Sequence, residues 1–295
     1  MGGEFDFLEW IRSRQKPDPL IVIGSGDDLA AYRWPAGELM LAGVDQVVDG
    51  VHFDSKIHPP RAIGRKAMNR NLSDCAAMAC LPAAALATVA LPAGCGLEYA
   101  RELYLGMEEA ANLFACPIVG GDTSSWPRKL VMTVTILGRD GGIPPITRGG
   151  ARAGERIFVT GPLGGSLLGR HMEFEPRVRM GRELAEKYRP TAMIDLSDGL
   201  SRDLRHICRL SGVGAVIEAG SVPIHADAIS LSARDARTPL EHALHDGEDY
   251  ELLFTCAAEV PGAIRIGVTT TDREIVIRDG NQTRALEPMA WEHRL

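Results

Sequence analysis

The chain has 295 residues, of which 45% are apolar and 24% charged, and its net charge is −7. This composition excludes a disordered or fibrous chain and is sufficient for two hydrophobic cores. The negative balance and the lack of a basic stripe argue against nucleic acid as a partner. We expect no membrane partner, because no apolar run reaches the length of a membrane span and the N-terminus has no signal-peptide core.

The first half of the chain is predicted to alternate strands with long helices. In chain order we expect a short amphipathic helix at 5–15, strands in "LIVIGSGDD", "ELMLAGVD" and "DGVHF", a helix over 60–80 that carries Asp74, a strand at 83–92, a helix at 97–115, a strand in "CPIVGGDT" that ends in a tight turn, and a strand at 130–140.

A Gly/Pro-rich connector over 138–155 predicts a domain boundary. We therefore expect an N-terminal domain at 1–140 and a C-terminal α/β domain at 150–295. The predicted elements of the second half are a strand in "RIFVTG", a turn into a helix in "PLGGSLLGRHM", a turn and a helix in "TAMIDLSDGLSRDLRHICRLSG" that closes at Gly212, and strands in "GAVIEAG", "YELLFTC" and "AIRIGVTT".

The six cysteines form no CxxC pair and lie mostly in apolar segments. This pattern is typical of buried free thiols in a reducing compartment, so we expect a cytoplasmic protein.

Acidic residues recur at or near the ends of apolar segments, often beside glycine. They are Asp27, Asp28, Asp45, Asp122, Asp195, Asp198, Glu248 and Asp249, while Asp74 stands alone in the small-residue stretch "NLSDCAAMACLP". Any one of them can be explained as a turn or helix cap. If the strand ends converge, however, the carboxylates repel one another and require a cation. Because His and Cys clusters with zinc spacing are absent, a hard cation such as Mg²⁺ or Mn²⁺ is favoured.

Hard cations beside glycine turns suit a polyphosphate substrate, whose charge the metal neutralises. The chain has neither a Walker A loop nor the protein-kinase signatures. No Ser-His or Cys-His motif supports nucleophilic catalysis. The residues themselves therefore predict metal-assisted chemistry on phosphates without naming the acceptor.

A series of motifs resembles the thiamine-monophosphate kinase family, which belongs to the superfamily of aminoimidazole-ribonucleotide synthetase and selenophosphate synthetase. The motifs are "GSGDD" (24–28), "VDQVVDGVHF" (44–53), "NLSDCAAM" (71–78), "VGGDT" (119–123), "TRGGARAGERIFVTG" (147–161), "IDLSDGL" (194–200), "DGEDYELLF" (246–254) and the C-terminal "AWEHRL". The resemblance implies an α+β (two-domain α/β) fold. The resemblance implies that the N-terminal mixed-sheet domain (1–140) binds ATP and Mg²⁺ and pairs into a barrel across a homodimer. It implies that the C-terminal domain (150–295) is an α/β sandwich.

The same resemblance implies that the γ-phosphate of ATP is transferred directly to thiamine monophosphate, with several Mg²⁺ ions and no covalent intermediate. It implies metal-binding roles for Asp28, Asp45, Asp74, Asp122, Asp195 and Asp198. Contacts to ATP fall to Gly121, Asp122, Arg148 and Ser197, and contacts to thiamine phosphate to His52, Glu248 and Trp291.

The chain departs from the family pattern at Gly43-Val44-Asp45-Gln46, where Ser-Thr-Asp-Thr is usual. Two hydroxyl groups expected near the metals are therefore missing. Two alternatives follow: a superfamily enzyme that uses ATP with a different acceptor, or a nucleotide- or thiamine-phosphate-binding protein without turnover. Selenophosphate synthetase is disfavoured by the lack of an N-terminal catalytic cysteine, and the hydrogenase-maturation relative by the ending "EHRL" without a terminal cysteine.

Overall fold

The computed structural model describes residues 21–23, 27–33 and 37–289. The predicted helix at 5–15 and Trp291 lie outside the described residues. Within them, no helix is both long and apolar enough to cross a membrane. The strands are β1 (Ile21–Ile23), β2 (Ala30–Arg33), β3 (Leu39–Val48), β4 (Leu81–Pro92), β5 (Ile118–Trp126), β6 (Val131–Arg139), β7 (Arg156–Val159), β8 (Ala192–Asp195), β9 (Gly214–Glu218), β10 (Leu252–Cys256), β11 (Ile264–Thr270), β12 (Ile275–Asp279) and β13 (Gln282–Ala285). The helices are α1 (Pro60–Ala77), α2 (Leu97–Leu113), α3 (Val178–Lys187), α4 (Leu200–Ser211), α5 (Ala226–Ser232) and α6 (Pro239–His245).

The strands up to residue 139 form one six-stranded sheet in the order β1-β2-β3-β6-β4-β5. All pairs are antiparallel except β4 with β5, so the sheet is mixed, as predicted. Alternate residues of β6 are buried, in the period-2 pattern of a sheet with one covered face.

Helices α1 and α2 approach each other so closely that two glycines are required at the contact. A Cβ on Gly64 would lie 1.9 Å from the carbonyl oxygen of Leu103, and a Cβ on Gly106 would lie 1.9 Å from that of Arg61. This close contact fixes α1, which has Pro60 at its first turn and buries most of its residues.

The strands after residue 155 form a seven-stranded sheet in the order β13-β12-β9-β11-β7-β10-β8. Only the β12–β9 pair is parallel. One hydrophobic core combines residues of α1 and the first sheet with Phe158, Met193 and Phe254 of the second, and another lies within the second half of the chain. Helix α1 therefore lies where the two halves meet, which brings its polar face to the C-terminal end of β8.

The structure confirms the α+β class and most of the predicted elements, and corrects four of them. "DGVHF" is a turn between Asp49 and Phe53 rather than a strand, and β5 continues through Gly120-Gly121 without a tight turn. "PLGGSLLGRHM" forms two short 3₁₀ segments rather than a helix. "AMID" is strand β8, ahead of helix α4, which closes at Gly212 as predicted.

Candidate functional site

Three of the predicted acids come together at the junction of the two halves. Carboxylate oxygens of Asp28, Asp74 and Asp195 all lie within 4.8 Å of one another. Asp28 follows the bridge that precedes β2, Asp74 lies in the last turn of α1, and Asp195 ends β8. The cluster is therefore assembled from three distant parts of the chain.

Burial and mutual repulsion dominate the electrostatics of this cluster. Burial and the charge of Asp28 raise the pKa of Asp195 to about 7, against the opposing effect of the Ser73 hydroxyl, which donates to Asp195 Oδ2 at 2.6 Å. Burial, followed by the charges of Asp45, Asp195 and Asp28, raises the pKa of Asp74 well above its ordinary value. An all-oxygen donor set in which Asp74 and Asp195 both resist ionisation fits a hard divalent cation.

Arg148 supplies the cation that the structure itself places at this cluster. Its Nη2 and Nε donate to the two carboxylate oxygens of Asp28 at 2.6 and 2.9 Å, and its backbone N–H donates to Asp27. Burial and the charge of Asp28 raise the pKa of Asp27 to about 6. Arg148, predicted from the family pattern as an ATP contact, is thus positioned directly beside the predicted metal ligands.

A small pocket of about 120 Å³ adjoins the cluster and collects four more predicted residues. Its lining consists of Val51, His52, Arg70, Leu167, Ser197, Asp198, Asp246, Glu248 and Tyr250. His52 reaches it from the turn that replaces the expected strand. The His52 Nδ1 accepts from the N–H of Val48 at 3.1 Å, which fixes the imidazole in the pocket wall.

Glu248 is held in this wall by a buried set of polar groups. Lys66 Nζ, whose side chain is 0% exposed, forms an ion pair with Glu248 and lies 2.6 Å from both the His52 carbonyl oxygen and His171 Nδ1. Burial alone would raise the pKa of Glu248, but the hydrogen bond with His171 and the charges of Lys66 and Arg70 lower it to about 2. Burial lowers the pKa of Lys66 to about 8 despite the nearby carboxylate. The two groups therefore form a charged pair at neutral pH.

The loops that carry Ser197-Asp198 and Glu248 lie directly against each other. The N–H of Glu248 donates to the Ser197 carbonyl at 2.7 Å, and Gly247 has φ +74, where an added Cβ would lie 2.8 Å from the same carbonyl oxygen. Asp203 of α4 accepts from the N–H groups of Asp198 and Gly199 at 3.1 and 3.0 Å. These contacts fix the backbone that presents Ser197 and Asp198 to the pocket.

Gly121 and Asp122 lie elsewhere, in a cavity of about 530 Å³ between α2 and strands β4 and β5. Asp45 pairs with Val134, Val134 with Ala87, and Ala87 with Gly121. Three strand spacings therefore separate Asp45 from Gly121, a distance of about 14 Å. The chain as described does not bring Asp122 to the carboxylate cluster.

Asp45 lies between the cluster and the pocket. Its charge helps to raise the pKa of Asp74, and its Oδ2 accepts from Arg70 Nε at 2.9 Å. Sequence reasoning missed Lys66, Arg70 and His171. The first two could have been found from their spacing, since residues 66, 70 and 74 lie at four-residue intervals on one face of a helix. His171 carries no local signal.

Comparisons with known proteins agree over nearly the whole chain. Residues 26–139 match the family described as AIR synthase related protein, N-terminal domain. The thiamine-monophosphate kinase of Rhodopirellula baltica is 43% identical over 263 residues, which cover 87% of this chain and 83% of that protein. The protein of the same name from Bacillus subtilis is 32% identical over 326 residues, covering 98% and 99%.

Solved structures give the same result. AaThiL complexed with AMPPCP and TMP has a TM-score of 0.84 at 29% identity and covers 99% of this chain and 97% of its own. The thiamine-monophosphate kinase of Stenotrophomonas maltophilia has a TM-score of 0.73 at 31% identity, covering 93% and 96%. A HypE–HypF complex, at 17% identity and a TM-score of 0.77 over 96% of this chain and 99% of its own, shares the fold. The chain belongs to the thiamine-monophosphate kinase family.

Proposed function

We propose that this protein transfers the γ-phosphoryl group of ATP to the phosphate of thiamine monophosphate, forming thiamine diphosphate and ADP. The observation that carries the proposal is the cluster of Asp28, Asp74 and Asp195 within 4.8 Å, next to a pocket lined by His52 and Glu248. A polyphosphate and a small acceptor can meet where these two features adjoin. Membership in the kinase family supports this assignment of donor and acceptor.

Mg²⁺ fits the carboxylate cluster, because the cluster offers oxygen ligands and the raised pKa values of Asp74 and Asp195 reflect charge that a divalent cation would neutralise. Asp28, Asp74 and Asp195 would hold it, with Asp45 beside them. When bound, Mg²⁺ supplies charge neutralisation and orientation of phosphate oxygens. Asp198 and Asp122 remain proposed ligands for further ions, Asp198 from the pocket wall and Asp122 from the separate cavity on β5.

The protein's own residues bind and orient the two substrates. The acceptor is a phosphate monoester with its own nucleophilic oxygen, so no covalent intermediate on the protein is needed and positioning supplies much of the catalysis. We assign thiamine phosphate to His52 and Glu248, whose carboxylate stays ionised and suits a cationic heterocycle. Arg148 and Ser197, and Gly121 with Asp122 in the larger cavity, are assigned to ATP. Trp291, outside the described residues, is retained as a proposed thiamine contact.

We also propose a cytoplasmic homodimer with the division into domains at 1–140 and 150–295. Val44 and Leu86 both pair with Thr135, from the two strands on either side of β6, and so lie in one cross-strand row that faces away from α1. Their side chains are 60% and 39% exposed. Pairing of this face between two copies would remove both side chains from water. The six cysteines are all free thiols, which suits a reducing compartment.

The first experiment is a product assay with the full chain, ATP, Mg²⁺ and thiamine monophosphate, in which thiamine diphosphate and ADP are separated by chromatography. Equimolar formation of both products is expected, and chelation of the metal should stop it. ADP formation without thiamine diphosphate would indicate a different acceptor or simple ATP hydrolysis. Binding of both substrates without product would favour the binding-protein alternative.

A further inference from the structure

Arg70 connects the carboxylate cluster to the substrate pocket. It lies on α1 one turn before Asp74, and its side chain is 14% exposed. Its Nε donates to Asp45 Oδ2 at 2.9 Å, and its Nη1 lies 3.4 Å from Glu248 Oε1. The guanidinium is therefore fixed from two sides at the point where the two features adjoin.

These two contacts leave part of the guanidinium unused. An arginine carries five N–H donors in a planar fork. Among the residues that the structure describes, Nη2 of Arg70 has no hydrogen-bond partner, and Arg70 is part of the pocket lining. A planar donor group held in place with free N–H groups is well suited to a phosphate.

The charges around the pocket make this donor distinctive. The ionisable lining residues other than Arg70 are His52, Tyr250 and three acids, Asp198, Asp246 and Glu248. Lys66 cannot serve in its place, because its Nζ is fully buried among His52, His171 and Glu248. Arg70 is thus the one arginine or lysine in the described lining, and it lies at the side nearest Asp45.

We propose that Arg70 binds the phosphate of the acceptor and makes the pocket select thiamine monophosphate over unphosphorylated thiamine. This assignment rests on the proposed function. The acids of the pocket favour the cationic heterocycle, which both ligands share. The arginine favours the phosphate, which only the monophosphate carries.

The test compares the affinities of the full-length protein for thiamine monophosphate and thiamine by calorimetry, without ATP. Arg70→Met is expected to weaken thiamine monophosphate about tenfold or more, the loss of one charge-assisted hydrogen bond, while thiamine changes less than about twofold. Arg70→Lys, which keeps the charge without the fork, should fall between. Arg61→Met is the matched control, since Arg61 lies on the same helix but pairs with Glu102 and Glu109 away from the pocket.

Kinetics give a second measurement. In Arg70→Met the KM for thiamine monophosphate should rise while the KM for ATP stays constant. Equal losses of affinity for both ligands, or no loss for either, would overturn the proposal and leave Arg70 with a structural role. If Arg70→Met does not fold, the ratio of the two affinities in Arg70→Lys decides in the same way.

The wild-type protein separates the two hypotheses before any variant is compared. If it neither binds thiamine monophosphate nor forms thiamine diphosphate, the proposed function fails and the role of Arg70 fails with it. If it is active and only the variant result is negative, the proposal for Arg70 alone is refuted.

Discussion

Replacing Lys66 with methionine removes a buried cation whose Nζ has three partners. The methionine fills a similar volume but leaves the His52 carbonyl without this donor and Glu248 without its nearest positive charge. Removing one partner of a buried ion pair costs about 3–5 kcal/mol in the free energy of unfolding. We expect a value of about 3 kcal/mol, because Arg70 Nη1 remains 3.4 Å from Glu248 Oε1 and keeps part of the charge neutralised.

The assay is urea unfolding of Lys66→Met, Glu248→Gln and the double variant at pH 7. In the double variant no uncompensated carboxylate remains, so its loss of stability should be smaller than the sum of the two single losses by about 1–3 kcal/mol. Additive losses would show that Lys66 and Glu248 do not stabilise each other.

The same pair also predicts how stability depends on pH. Glu248 has a folded-state pKa of about 2, below the ordinary 4.5 of a glutamate, so its contribution to stability is present above pH 4.5 and is lost as the pH falls toward 2. Glu248→Gln should lack this part of the acid limb. A wild-type and a variant profile that run parallel from pH 5 to pH 2 would contradict the pairing.

Three further changes test the fold and the site. Gly64→Ala should destabilise the protein by about 1–3 kcal/mol in urea unfolding, because the new Cβ would lie 1.9 Å from the Leu103 carbonyl oxygen. An unchanged unfolding midpoint would refute the close contact between the two helices. Burial lowers the pKa of His206 to about 4, so its contribution to stability is lost as the pH falls from 6.5 to 4. His206→Gln should therefore flatten the dependence of the thermal-unfolding midpoint on pH in this range, and an unaltered slope would contradict the lowered pKa. Asp74→Asn should lower kcat about 100-fold or more at saturating Mg²⁺ without unfolding the protein, and near-normal turnover would remove Asp74 from the metal site.

The local patterns predicted the long elements well. The helices at 60–77 and 97–113 and the long strands β3, β4 and β6 follow from periodicity, which depends only on neighbouring residues. "DGVHF" alternates like a strand, yet it forms a turn whose two ends, Asp49 and Phe53, are joined by an isolated bridge. The short strands β12 and β13 carried too few residues for a clear pattern.

For the site, the sequence predicted which residue types matter better than where they lie. The recurrent acids after apolar segments pointed to Asp28 and Asp195, and the family resemblance added Asp74; carboxylate oxygens of these three residues lie within 4.8 Å of one another. The strand order β3-β6-β4-β5 is non-local, so nothing in the chain order indicated that Asp122 would lie apart from Asp45. The side-chain partners of Lys66 are likewise distant in sequence, 105 residues away for His171 and 182 for Glu248.

Helix α1 fixes the spacing of the site. From this one rigid element Lys66 supports the pocket wall, Arg70 lies at the border of the pocket, and Asp74 belongs to the carboxylate cluster. Each residue of an α-helix advances the direction of its side chain by about 100°. An insertion or deletion of a single residue between 66 and 74 would therefore turn one end of this row away from the other, even if every side chain were retained. A substitution on this helix alters the contacts of one position, whereas a change of its length between these positions displaces the whole row at once.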